Sequence, residues 1–187
     1  MARYILHMTS SRLGLVAALV LVSATARATA HAQGTVALLD YHAVVPSGWA
    51  TAPSTSSMRL AQYTIPRKDG TLAAEVVVYF FGKGQGGNVD ANLARWKGQF
   101  STPDGAPVYE KVARDSSGAF PITIAEYRGT YARGIGAGDA STAKSGQSLV
   151  AAIAETPRGT LFFQMFGPTD EVTPQREALA AFVRSLK

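Results

Sequence analysis

The stretch LAAEVVVYFFGKGQGGNVDANLARWKGQF, residues 72–100, decides the fold. Its first part, residues 72–81, is rich in β-branched and aromatic side chains, which are typical of a strand. A glycine-rich turn follows, and Asn88 then stands where a helix cap is expected. Beyond Asn88, apolar residues recur at intervals of four, three and four, so they share one side of a helix. These residues are Val89, Leu93, Trp96 and Phe100.

The residues before this stretch predict a second strand that pairs with the first. Residues 58–65 have β-type composition and stop at Pro66, and residues 67–70 supply turn-forming side chains. Two strands joined by so short a connection predict an antiparallel hairpin. In that hairpin Arg59 and Glu75 are expected to form an ion pair, which at a surface contributes at most about 1 kcal/mol.

Further strands are predicted after the helix. They cover residues 109–114, 120–131, 147–155 and 160–166. Residues 156–159 read Thr-Pro-Arg-Gly, a tight-turn sequence, so the last two strands should pair as neighbours.

A helix is predicted at the end of the chain, with Thr173 as its cap and Pro174 at its first position. Its apolar face consists of Leu179, Phe182, Val183 and Leu186. The element order is hairpin, helix, strands and helix, which predicts an α+β fold with an antiparallel sheet flanked by two main helices. We expect a single domain over residues 58–187.

The first 32 residues are predicted to be a cleaved signal peptide. A basic start precedes ten apolar residues, Leu13–Val22, and a tail of small residues ends at Ala32. Ten residues are too few to cross a bilayer, which needs about twenty, so no stable membrane span is expected after processing. The mature protein is therefore expected in the periplasm or outside the cell. Residues 33–57 are predicted to form an irregular N-terminal arm, anchored in the core by Trp49.

Composition excludes several classes of function. The 187 residues hold 18 Lys and Arg against 13 Asp and Glu, and removal of the signal segment leaves a net charge of +2, which is too balanced for nucleic-acid binding. The chain has no cysteine, which excludes disulfides, thiolate catalysis and zinc fingers. His42 is the only histidine of the mature chain, and Asp40 beside it leaves a metal site short of ligands. We predict no catalytic residue, cofactor or metal.

Three glycines, Gly82, Gly84 and Gly87, have the spacing of a dinucleotide-binding turn. That site requires parallel strands, whereas the hairpin spacing predicts antiparallel neighbours, so we reject a nucleotide cofactor. Two interpretations remain. The glycines allow a sharp turn from strand to helix, which we favour, or free amides at the helix start hold a carboxylate or phosphate with help from Lys83.

The side of the helix opposite its apolar stripe carries Asn92, Arg95 and Gln99. These groups form hydrogen bonds of fixed geometry, and an arginine can grip a carboxylate with two parallel bonds. Together with Lys83 they form the candidate ligand or partner surface. The alternative, which we favour, is that they bond loop carbonyls and fix the N-terminal arm against the helix.

Three motifs carry a resemblance to known proteins. They read PSTSSMRLAQYTIP, AEVVVYFFGKGQGGNVDANLARWKGQF and GTLFFQMFGP, the last before a terminal helix. Over residues 45–187 the chain resembles a group of uncharacterised exported bacterial proteins. Its element order is similar to the PsbP-like α/β/α sandwich of photosystem accessory subunits and small bacterial lipoproteins. The resemblance implies an accessory or binding role and brings no catalytic residue.

Three functions follow from these observations. The first is an exported, non-enzymatic accessory or binding module for an unknown protein or small ligand in the cell envelope. The second is a small exported hydrolase with an unrecognised site, and the third is a purely structural envelope protein. The scarcity of histidine and the lack of cysteine favour the first and the third.

Overall fold

Ten strands and three helices make up the fold, in a computed structural model that describes residues 34–54, 56–67, 69–131 and 143–187. The strands are β1 (Thr35–Leu38), β2 (Tyr41–Val44), β3 (Ala50–Thr51), β4 (Arg59–Pro66), β5 (Leu72–Phe80), β6 (Phe100–Ser101), β7 (Tyr109–Asp115), β8 (Ile122–Tyr131), β9 (Lys144–Thr156) and β10 (Gly159–Pro168). The helices are α1 (Val89–Lys97), α2 (Thr169–Val172) and α3 (Arg176–Arg184), with a 3-10 turn at Thr173–Gln175 between the last two. The predicted signal peptide lies outside the described residues.

The sheet has eight strands in the order β3-β4-β5-β10-β9-β8, with β6 and β7 following one another along the outer side of β8. Every pairing in it is antiparallel. Both predicted hairpins, β4–β5 and β9–β10, are confirmed. The predicted ion pair is also present, with 3.3 Å between Arg59 Nη1 and Glu75 Oε1. The α+β class with a large antiparallel sheet is therefore confirmed.

The two main helices lie on opposite faces of this sheet. Alternate residues of β9 point to opposite sides, so Val150 and Ala152 pack with Phe182 of α3, whereas Ala151 and Ile153 pack with Trp96 of α1. The α3 face also carries the β1–β2 hairpin, through Leu38 and Ala43 among others. One face is covered by a helix and a hairpin, and the other by the nine residues of α1.

Four aromatic rings hold the α3 face together. The Trp49 ring lies 5.8 Å from Tyr63 and 5.6 Å from Phe182, and Phe163 is also 5.6 Å from Phe182, all between ring centroids. Trp49 is 9% exposed, so its predicted role as a core anchor is confirmed.

The prediction of an irregular arm over residues 33–57 is wrong. β1 and β2 form a hairpin whose turn contains Leu39, with a φ of 58°. The backbone of His42 exchanges two hydrogen bonds with Lys187, at N–O distances of 3.0 and 3.1 Å, and Val44 N donates to Ser185 Oγ at 2.8 Å. The order of this segment comes from contacts with the far end of the chain, which local composition does not reveal.

Both helix predictions need a correction at one end. Asn88 caps α1 as predicted, because its side chain accepts a bond from Ala91 N, but Phe100 belongs to β6 and not to the helix. The C-terminal helical segment begins at α2, four residues before the predicted cap Thr173. The Thr173 hydroxyl instead donates to Glu126 Oε1 at 3.3 Å, so a tertiary contact uses the group that was expected to cap the helix.

Candidate functional site

The predicted polar surface on α1 is partly built into the fold. Asn92 is 2% exposed, and its Nδ2 donates to the carbonyl oxygens of Gly86 and Asn88 at 2.8 and 2.9 Å. Its Oδ1 accepts a bond from Arg95, whose own side chain is exposed. Asn92 therefore holds the glycine turn to the helix and is not available to a partner, which corrects its inclusion in the contact surface. It fixes this turn and not the N-terminal segment.

The other two residues of that surface do not join this pair. Gln99 is half-buried, and its Oε1 is shielded from solvent without a hydrogen-bond donor among the described residues. Lys83 is exposed, and its Cα lies near Gly159 at the turn between β9 and β10. Within the described ranges, no hydrogen bond or ion pair links Lys83 or Gln99 to Asn92 or Arg95. The structure thus brings together only two of the four predicted residues.

The glycine turn is a packed connection. Gly86 has a φ of +91°, and a Cβ on it would stand 2.7 Å from Phe162 and 2.9 Å from Phe81. No side chain fits there, which supports the interpretation of a sharp strand-to-helix turn. The strand before the turn has antiparallel neighbours on both sides, so the crossover unit of a dinucleotide site does not form around it.

Asp40 and His42 do not form a shared site. Asp40 pairs with Arg158, with 2.8 Å between Oδ2 and Nε, and both side chains are mostly exposed. Over the part of the chain that the structure describes, no three His, Cys, Asp or Glu side chains lie together as metal ligands would.

A groove of about 830 Å³ lies beside the short edge strand β3. Its lining comes from the start of β1, from the segment between Val45 and Ser54, which includes Trp49, and from β4. The lining residues are Gly34, Thr35, Val36, Val45, Pro46, Ser47, Gly48, Trp49, Ala50, Thr51, Ala52, Ser54, Leu60, Ala61, Gln62, Tyr63 and Pro66. We call this site the β3 groove.

None of these lining residues is charged. The polar side-chain groups are hydroxyls of serine, threonine and tyrosine, the indole N–H of Trp49, which donates to Gln175 Oε1 at 3.3 Å, and the amide of Gln62. That amide is already engaged, since Nε2 donates to Glu75 Oε1 at 2.9 Å and Oε1 accepts from Arg59 Nη1 at 2.8 Å. Burial raises the pKa of Tyr63 to about 12, so its hydroxyl stays protonated near neutral pH.

The lining of the β3 groove has the chemistry of a binding site. A hydroxyl nucleophile needs a general base within hydrogen-bond reach, and the lining offers neither histidine nor carboxylate. An apolar surface can bury an apolar molecule at a gain of about 25 cal/mol per Å² of contact. The arrangement therefore favours a ligand that buries an uncharged, largely apolar part in the groove.

Sequence reasoning missed this groove because it rests on the wrongly predicted arm. One signal was visible. Residues 45–57 contain no charged side chain and are rich in small residues and proline, which leaves an uncharged surface with little bulk to fill it.

No helix within the described residues has both the length and the apolar character needed to cross a membrane.

Comparisons with known proteins give a fold likeness and no family. No family model matches the sequence, and no curated protein matches it. Among solved structures, the fold is similar to that of LpqN, which is described as involved in cell envelope biogenesis of Mycobacterium tuberculosis. The two share 12% sequence identity with a TM-score of 0.49, over 79% of this chain and 82% of that one. Membership of the PsbP-like group stays a prediction.

Proposed function

We propose that this chain is an exported binding module that holds a fatty acyl chain in the β3 groove. The observation that carries the proposal is the lining, in which all seventeen residues are uncharged and one is Trp49. Its volume of about 830 Å³ falls within the range of about 300–1,000 Å³ that is common for small-ligand pockets. Export follows from the predicted signal peptide, which would deliver the groove to the cell envelope.

An acyl chain fits this groove better than a charged ligand does. A buried charge without a partner is costly, and the lining offers no ion-pair partner. The groove lies beside the edge strand of the sheet, so a polar headgroup can remain in water while the chain is buried. This role needs no enzymatic step and agrees with the PsbP-like accessory role. Lys83, Arg95 and Gln99 stay predicted partner residues, of which Arg95 lies on α1.

Trp49 supplies a direct reporter for the test. The chain has two tryptophans, and Trp96 on α1 is 1% exposed and does not line the groove, so Trp96→Phe leaves emission from the groove alone. Titration of this variant with palmitate is expected to shift and saturate the Trp49 emission at one ligand per chain. Glucose, which is uncharged but polar, serves as the negative ligand.

Three substitutions test whether palmitate binds in the β3 groove. Ala50 is exposed and lines the groove, so Ala50→Glu puts a carboxylate there without disturbing the core. We expect at least tenfold weaker binding of palmitate by Ala50→Glu, since burying the acyl chain would desolvate that charge. Ala50→Gln has the same size without the charge and should bind nearly as well as the parent, as should Ala106→Glu in an exposed loop. Equal losses in all three, or no saturable binding, would contradict the proposal and favour a structural role.

A further inference from the structure

The strand β7 forms an open edge that the proposed function does not use. It pairs with β8 along its whole length, from Tyr109 opposite Arg128 to Asp115 opposite Ile122. No second strand among the described residues pairs with it, so half of its backbone N–H and C=O groups face outward. Its first four residues are exposed, and Val112 in the middle is 42% exposed. Such an edge is a template for another strand.

We propose that β7 pairs in antiparallel fashion with β7 of a second copy of this chain, around a twofold axis at Val112. The strand reads YEKVARD, residues 109–115. In this register Val112 faces Val112 of the second copy, and Glu110 faces Arg114 on both sides of the axis. Two Glu110–Arg114 ion pairs then flank the contact between the two Val112 side chains on one face of the joined sheet.

Other registers are less favourable. In both copies the same alternate residues of β7 turn their N–H and C=O groups outward, and antiparallel pairing sets two such residues opposite each other. The twofold axis must therefore pass through a residue and not between two residues. An axis at Lys111 sets two lysines against each other. An axis at Ala113 pairs only five residues, and its one match of opposite charges sets Lys111 against Asp115, which Arg184 already holds at 2.6 Å. Only the register at Val112 pairs all seven residues and sets Glu110 opposite Arg114 on both sides of the axis.

The charged residues of this register are available in the single chain. Arg114 is exposed and makes no ion pair with a described residue. Glu110 binds Lys97 through Oε2, with 2.7 Å between the two atoms, and also interacts with the side chain of Tyr127, its neighbour on β8. A carboxylate has about four acceptor sites on its two oxygens, so it can still accept a second cation. The β3 groove lies at the opposite edge of the sheet, so two copies joined at β7 leave both grooves open.

A single cysteine tests the position of the axis directly, because the chain has none of its own. Residues facing each other across antiparallel strands have Cα atoms about 4.5–5.5 Å apart, within the range that a disulfide spans. Val112→Cys in the processed protein should therefore cross-link to a covalent dimer under mild oxidation. Lys111→Cys is the matched control. Lys111 is also exposed on the same strand, but its partner cysteine lies diagonally at about 7–8 Å. Faster cross-linking of Lys111→Cys would overturn the register.

Charge reversal tests the ion pairs, with sedimentation equilibrium of the processed protein as the measurement. Arg114→Glu sets like charges against each other twice and should weaken the dimer at least tenfold. Lys111→Glu makes the same change in net charge on the same strand and should have less than a threefold effect. The triple variant Lys97→Glu, Glu110→Lys and Arg114→Glu reverses both the pair within the chain and the pair between chains, and should restore the dimer. A parent protein that stays monomeric to millimolar concentration would overturn the proposal, as would equal effects of Arg114→Glu and Lys111→Glu.

Discussion

Replacing Asn92 by alanine is expected to lower the stability of the fold, because it removes the hydrogen bonds that attach the glycine turn to α1. The side chain is 2% exposed, and it donates to the Gly86 and Asn88 carbonyl oxygens at 2.8 and 2.9 Å. The Asn88 oxygen also accepts the backbone N–H of residue 92, so it keeps a partner in the variant. The Gly86 oxygen loses its amide donor, which makes it the costlier of the two losses.

The size of the effect follows from these contacts. Each neutral hydrogen bond contributes about 1 kcal/mol, and a carbonyl left without a donor adds about another 1 kcal/mol. The total of about 3 kcal/mol should lower Tm by about 6–12 °C for a domain of this size. Asn92→Asp has the same shape but lacks the donor, and its carboxylate would face two carbonyl oxygens, so we expect a similar or larger loss.

Thermal unfolding followed by circular dichroism measures this effect. Arg95→Ala is the control, because Arg95 is exposed and contributes a single bond to Asn92. It should lower Tm by no more than about 4 °C, which corresponds to about 1 kcal/mol. If Asn92→Ala melts with the parent protein, the hydrogen bonds to the turn do not stabilise the fold, and the structural assignment of Asn92 is wrong.

Two further predictions concern the packed turn and the groove. Gly86→Ala should destabilise by about 2–4 kcal/mol in chemical denaturation, because its Cβ would overlap the buried Phe162 ring, whereas Gly84→Ala, with no atom near its Cβ, should cost only about 1 kcal/mol of backbone strain. Burial raises the pKa of Tyr63 from its usual 10 to about 12, so the folded state keeps this proton longer than the unfolded state does. Stability should therefore be intact below pH 10 and fall by about 2–3 kcal/mol as pH rises from 10 to 12, a slope that Tyr63→Phe should reduce.

The elements that could be predicted from the sequence are those with local signals. The α1 helix has an asparagine cap and an apolar stripe, and both work within a few residues. The β9–β10 hairpin has a turn sequence between two β-rich runs. Phe100 lies in β6 and not in the helix, yet its predicted packing beside Trp96 is correct. The short connection between α1 and β6 brings Phe100 back to the buried cluster that contains Trp96.

The candidate site could be predicted only in part, because proximity in sequence says little about which polar groups a fold consumes. Asn92 has the same spacing on the helix as Arg95, yet one is buried against the turn and the other is exposed. Nothing in the interval pattern separates them. The decisive difference is the path of the glycine turn, which brings the Gly86 carbonyl over the first half of the helix.

The β3 groove shows the same limit at longer range. Its lining includes Val36 in β1 and Val45 directly after β2, so part of the groove is formed by the β1–β2 hairpin. That hairpin is fixed by bonds between Val44 and Ser185, which are 141 residues apart, and between His42 and Lys187. Because the chain has no cysteine, hydrogen bonds and packing must hold this hairpin in place. The shape of the groove therefore depends on the last residues of the chain, because contacts with them order a segment whose local sequence predicts an irregular arm.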